Sequence, residues 1–275
     1  MEQESFGTGG FSGTGASHLE AVERVIAAMR ERVDNTLPLH AMAEIAHLSP
    51  YHFARTFRQI TGIPPGAFYV NLRLQRAKEL LLTTDLSVSE VCFEVGYASL
   101  GTFTTRFTQL VGVSSGRMRR LTEELSAALE GVASAQRPPI PPEPEIAGVT
   151  FRLHGDGLAG SWIFAGLFPG AVPQRRPVAG VLLNAPGIYR LGTVPGGSYH
   201  LMAAALPCSE DPLDSLLPGS ALRVGRGNGP PLLARRGGVA GVAEVGMRPP
   251  RITDPPVLLA LPALLPELLA TPVSP

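Results

Sequence analysis

A chain of 275 residues can fill one large or two modest domains, and a hydrophobic content of 44% is ample for folded cores. The formal net charge of zero excludes retention on polyanions by bulk charge, while leaving room for a local basic face. Two widely separated cysteines, Cys92 and Cys208, are expected to be reduced, which sets the chain apart from disulfide-stapled secreted folds. Glu2 and Glu4 with no basic or apolar run after them give no signal-peptide pattern. The most apolar stretch, Val257 to Ala270, is broken by Pro262, Pro266 and Glu267 and is too short to span a bilayer, so a cytoplasmic protein without membrane contact is expected.

In chain order, residues 1–16 are rich in Gly, Ser and Thr and read as a disordered tail. Ser17 and Glu20 have the spacing of a capping box, and Leu19, Val22, Val25, Ile26, Met29 and Val33 then form one helical stripe that ends near Asn35 and Pro38. Leu37 to Gly62 predicts a short helix packing through Met42, Ala43, Ile45 and Ala46, a turn, and a second helix capped by Ser49. In that second helix Pro50 takes the first position, Phe53, Phe57 and Ile60 face inward, and Gly62 stops it. Pro64 and Pro65 open a long helix to about Leu82, made basic by Arg73, Arg76 and Lys78.

Leu86 to Arg120 then repeats the earlier pattern. Gly62 and Gly112 superpose with Phe53 on Phe103 and Phe57 on Phe107 at a shift of 50 residues, whereas Leu37 and Leu39 meet Leu86 and Val88 at 49. The second copy therefore has one extra residue in its turn. Ser87 and Glu90 form another capping box, Gly96 makes the turn, and Ser99 caps the helix carrying Phe103, Phe107 and Leu110. A further helix is expected from Leu121 to Leu129. Two helix-turn-helix units held at a fixed separation suit entry into successive major grooves, about 34 Å apart.

Residues 132–145 hold the proline-dense run RPPIPPEPE and read as a semi-rigid linker between a helical domain, 17–131, and a second domain, 146–275. Short apolar runs follow, at Ile146–Leu153, Ser161–Phe168, Val178–Leu183, Gly187–Thr193 and Ser198–Leu206, with further strands expected at Ala221–Val224 and Val239–Val245. Their spacing predicts a small antiparallel all-β sandwich, with the segment after Pro249 either wrapping it or loose.

The run RAKELL, S-x-x-E-V, VGY-x-S, F-x-x-x-F and VG resembles the AraC/XylS family of bacterial transcription regulators over about Ser17 to Leu121. The resemblance implies an all-α, seven-helix, tandem helix-turn-helix domain that binds promoter DNA, followed here by the β-domain in a multidomain chain. Ser115, Met118 and Thr105 depart from the residues common in that family, and most members place the DNA-binding domain last rather than first. The segment GIYRLGTVPGGSYHLMAAAL is similar, more weakly, to transthyretin-like, carboxypeptidase regulatory-like β-sandwiches.

Candidate base readers are Pro50, Tyr51, His52, Ala54 and Arg55 in the first unit and Leu100, Gly101, Thr102, Thr105 and Arg106 in the second. An arginine such as Arg55 can fork onto guanine, and its competing use is an ion pair with Glu44 or Glu94. Threonine offers no bidentate code, so the second unit is expected to discriminate less. Phosphate contacts are assigned to Arg73, Arg76, Arg117 and Arg119. Ser17–Ser126 holds 12 Lys and Arg against 11 Asp and Glu, a net of +1, so placement rather than total charge must position DNA.

His154, His200 and Cys208 lack metal-site spacing, VPGG and GRGNG lack the context of phosphate loops, and Ser161 and Ser198 have no visible acid-base partner. No metal, cofactor or catalysis is expected. The function read from the sequence is a sequence-specific DNA-binding transcription regulator with a β-domain that senses a ligand or oligomerises. Its partners would be double-stranded promoter DNA, RNA polymerase, a small-molecule effector and a second copy of the chain. The alternative is a small-molecule-binding or interaction β-domain that the helical half merely localises to DNA.

Overall fold

Helices α1 (Phe11–Glu31), α2 (Leu39–Ile45), α3 (Pro50–Thr61), α4 (Pro65–Thr83), α5 (Val88–Glu94) and α6 (Leu100–Val111) build the amino-terminal half, and a further helical stretch occupies 115–122. The computed structural model describes residues 11–122, 148–174, 177–192, 194–209, 211–234 and 238–264. Residues 1–10, the linker expected at 132–145 and the helix expected beyond Thr122 lie outside the described residues. α1 begins at Phe11, so Ser17 sits within the helix and does not cap it, and the expected tail is helical from that point. Gly and Ser disfavour a helix by only ~0.5–1 kcal/mol each, and the packed stripe of Val22, Val25, Ile26 and Met29 can carry that cost. Leu19, expected on the stripe, is 41% exposed.

The two helix-turn-helix units are copies down to individual hydrogen bonds. In the first, the His47 N–H donates to Glu44 O and Leu48 N–H to Ala43 O; in the second, Gly96 N–H donates to Phe93 O and Tyr97 N–H to Cys92 O. That is the shift of 49. From the caps Ser49 and Ser99 onward the shift is 50, so the extra residue of the second turn is Ala98. Both turns need a left-handed residue, supplied by His47 (φ +55) and by Gly96 (φ +75). Both second helices end on left-handed glycines, Gly62 (φ +83) and Gly112 (φ +88). Phe53, Phe57, Phe103 and Phe107 are fully buried, while Ile60 and Leu110 are half-buried.

Lys78, expected on a basic face of α4, is instead buried among apolar residues, with Nζ 3.4 Å from Val257 O. It is the chain's single lysine; the other basic residues are arginines. Burial pulls its amine down to about 8, against a weaker opposing pull from Glu79.

From Gly148 onward lie β1 (Gly148–Gly155), β2 (Ser161–Phe168), β3 (Ala179–Leu183), β4 (Gly187–Leu191), β5 (Gly197–Pro207), β6 (Arg223–Arg226), β7 (Leu232–Ala234) and β8 (Gly238–Met247). They form two sheets, β4-β1-β8 and β3-β2-β5-β6, with β7 paired to β5. Two features correct the all-antiparallel, all-β expectation. β1 and β8 pair in parallel, as strands joined through the whole intervening domain can, and a short helix (Pro212–Leu216) with Pro at its start follows β5. β7 went unread because three residues carry no period.

Strand alternation assigns the layers. Ile163, Ala165, Leu167, Leu201, Ala203 and Ala205 meet Phe151, Leu153, Tyr189 and Val245 of the other sheet in one core. Their neighbours Phe164, Phe168, Leu182, Met202, Ala204 and Leu206 point the opposite way and share a core with Leu81, Val91, Phe103 and Val111. The β2 and β5 sheet is thus apolar on both faces, one turned to its partner sheet and the other to the helices. Leu258, Leu259, Ala260 and Leu261, from the segment after Pro249, fill that second core, and Ala260 N–H donates to Val111 O at 3.0 Å. Gln174 Nε2 lies 3.3 Å from Asn71 Oδ1 across the same interface. Among the described residues, no helix is long and apolar enough to cross a membrane.

Candidate nucleic-acid interface

The inward Phe pairs fix which side of α3 and α6 faces solvent. On α3, Pro50, Tyr51, His52 and Arg55 are exposed, Tyr51 by 81%, and Ala54 is half-buried. Ser49 Oγ accepts from His52 N–H at 3.4 Å, holding the helix start in place beneath them. No ion pair joins Arg55 to Glu44 or Glu94 among the described residues, so its guanidinium faces solvent. On α6, Leu100, Gly101, Thr102, Thr105 and Arg106 are exposed, and Ser99 Oγ accepts from Thr102 N–H at 3.4 Å. Arg106 also lies near Tyr97: burial pushes that phenol up, and Arg106 and Arg73 oppose the shift.

The four arginines assigned to phosphate occupy different settings. Arg73 is half-buried: it donates to Gly96 O at 3.2 Å and to Asn35 O, and it lies 4.6 Å from the Tyr69 ring centre. It ties α4 to the second turn. Arg119 donates to Leu86 O and is likewise half-buried. Arg76 pairs with Glu79 at 3.2 Å on an exposed surface, and Arg117 is exposed. Two neighbours, one exposed and one half-buried, were not singled out as contacts from sequence. Arg58 stands one turn beyond Arg55, and His18 of α1 brings its Nε2 within 3.5 Å of His52 Nε2. The first could have been found by helical spacing, but the second needed the packing of α1 against α3, which no local pattern gives.

The histidines and cysteines weighed for other chemistry occupy separate settings. His154 faces Glu244 at 3.7 Å, His200 lies on β5, and Cys92 and Cys208 are free thiols, the first buried and the second exposed. Among the described residues, no group of three or more His, Cys, Asp or Glu is placed to hold a metal.

Residues 42–121 match the family described as "Helix-turn-helix domain". The bifunctional transcriptional activator/DNA repair enzyme AdaA of Bacillus subtilis is 30% identical over 104 residues, covering 38% of this chain and 49% of that protein. The RCS-specific HTH-type transcriptional activator RclR of Escherichia coli is 33% identical over 102 residues, covering 37% and 36%. Among solved structures, the DNA-binding domain of AdpA in complex with a target DNA is 28% identical, covering 38% of this chain and 94% of that one, with a TM-score of 0.36. The chain spans half or less of the length of these two curated relatives. Residues 42–121 thus match a helix-turn-helix family, and the helix pairs α2–α3 and α5–α6 give the stretch two such units.

Proposed function

We propose that the chain is a sequence-specific DNA-binding transcription regulator whose α3 and α6 enter two adjacent major grooves. The observation that carries this reading is that both second helices are capped, anchored by buried Phe pairs and fully presented while the β-half is docked. Their exposed faces carry Tyr51, His52 and Arg55 on one and Leu100, Thr102, Thr105 and Arg106 on the other. The similarity to activators of transcription over this same stretch supports it. The seven-helix form of the domain belongs to the same reading, with the stretch at 115–122 as the start of its last helix. Arg58, Arg76 and Arg117 then serve the flanking phosphates, while Arg73 and Arg119 hold the frame.

The β-half is read as a sensing or oligomerising domain, with RNA polymerase and a second copy of the chain as further partners. Its shared core with α4, α5 and α6 favours this over an independent module merely carried to DNA. Footprinting of the full chain on the region upstream of its own gene tests the proposal. Protection of two segments one helical turn apart on the same DNA face is expected. Equal affinity for random duplex at ~0.15 M salt would remove the claim of specificity.

A further inference from the structure

Where the two halves meet there is an open cavity of about 570 Å³, within the size range of small-ligand sites. Phe164, Phe168 and Met202, from the outward face of the β2 and β5 sheet, form an apolar floor. Gln59–Gly62, the last turn of α3 and its cap, forms one wall. Arg226, Arg248 and Arg251 also line it, against a single acid, Asp254. That acid is already committed, since its two oxygens take Arg248 at 2.6 and 2.9 Å. Among the described residues no ion pair takes up Arg226 or Arg251.

We infer that this cavity binds a small amphiphilic organic anion, an aromatic carboxylate or sulfonate. Its ring lies on Phe164 and Phe168 and its anionic group between Arg226 and Arg251. The floor supplies area for an apolar body, and guanidinium groups beside an apolar surface gain most from an anion that excludes water. A ligand made mainly of phosphate would leave the floor unused.

The site also touches the far end of α3, whose use as a DNA reader rests on the function proposed above. The Arg226 guanidinium lies beside Gly62 and donates to Ala171 O. It thus stands at the carbonyl end of α3, where a positive charge favours the helix. An anion that draws Arg226 into the cavity changes the support of the helix that presents Tyr51 and Arg55.

The test uses the full chain titrated with 8-anilinonaphthalene-1-sulfonate, followed by fluorescence and calorimetry, with phenyl-substituted carboxylates as competitors. Saturable one-to-one binding is expected, at least tenfold tighter than for the uncharged anilinonaphthalene. Arg251→Glu, at an exposed position, weakens it at least tenfold with an unchanged melting temperature. Arg152→Glu, on the other sheet, leaves it unchanged. Unsaturable binding, or equal binding by Arg251→Glu, overturns the site. Correct dye binding with DNA affinity unmoved at saturation overturns only the coupling to α3. Correct dye binding by a chain that footprints nowhere overturns the DNA-reading proposal and leaves the cavity site standing.

Discussion

The two helix-turn-helix units share a backbone plan, and what separates them is their surroundings. The first shows solvent a phenol, an imidazole and a guanidinium with no ion pair among the described residues, and the end of its α3 borders an open cavity. The second shows mostly small residues, and its rear is filled by Leu258–Leu261 and sealed by the Ala260 to Val111 hydrogen bond. On the function proposed above, one fold element, copied once, serves as an adjustable discriminating reader and as a fixed anchoring one. The lesson is that the buried pattern dictates the element, whereas the exposed face and the neighbours dictate its use.

The largest effect should expose what the copies have in common. Phe57→Ala and Phe107→Ala each remove a fully buried ring, at a cost of ~3–5 kcal/mol. If the units fold as one body, urea unfolding of either variant remains a single transition. Two separated transitions in one variant only would show that the copies are not energetically equivalent.

Next comes the anchoring of the second unit, which Lys78 makes dependent on pH. Its amine titrates at about 8 when folded and near 10.5 when unfolded. Between those values the unfolded chain holds more protons, so stability rises with pH through this window, by up to ~3 kcal/mol. Below it the full cost of burying the charge applies. Burial raises the Cys92 thiol and so acts in the opposite direction above about 9. The difference between the parent chain and Lys78→Met isolates the lysine: the variant should be more stable at pH 7 and lack the rise. A parallel pair of pH profiles would show that Lys78 is protonated normally and that the tail is not seated as described.

The readers themselves should differ by a smaller amount. Arg55→Ala is expected to lose ~1–3 kcal/mol of affinity and relax sequence preference at one half-site, whereas Thr105→Ala should change affinity by less than ~1 kcal/mol. Mobility-shift titration on a footprinted site decides between them, and equal losses would erase the proposed division of labour.

The helical half was legible because its signals are local. Ser49, Ser87 with Glu90, Ser99 and Gly62 each announce a helix end by their own chemistry, and all four act as read. Ser17 with Glu20 has the same pattern and does not cap, because helix continues upstream of it. Most strands were visible from apolar runs, but the parallel β1 and β8 pairing joins residues about ninety apart, which no local pattern encodes. Two-faced burial of β2 appears in SWIFAGLF as an almost unbroken apolar run, yet the run does not say what covers each face. For the same reason the sequence named Arg55 but not the cavity beside Gly62, whose walls come from distant parts of the chain.

The two turns offer the finest comparison, since they meet one backbone requirement with different residues. At Gly96 a methyl group would stand 2.6 Å from Asp34 O, and φ is +75, so Gly96→Ala meets both a clash and left-handed strain of ~1–2 kcal/mol. His47 bears comparable strain at φ +55 in a turn one residue shorter. His47→Gly relieves it but adds ~0.5–1 kcal/mol of unfolded-chain entropy, so the net gain should be no more than ~1 kcal/mol. Thermal unfolding of both variants measures the contrast: a clear loss for Gly96→Ala beside a small gain for His47→Gly. A loss in both would mean that the His47 side chain contributes something beyond its backbone angle. The imidazole would then be a structural part of the first unit with no counterpart in the second.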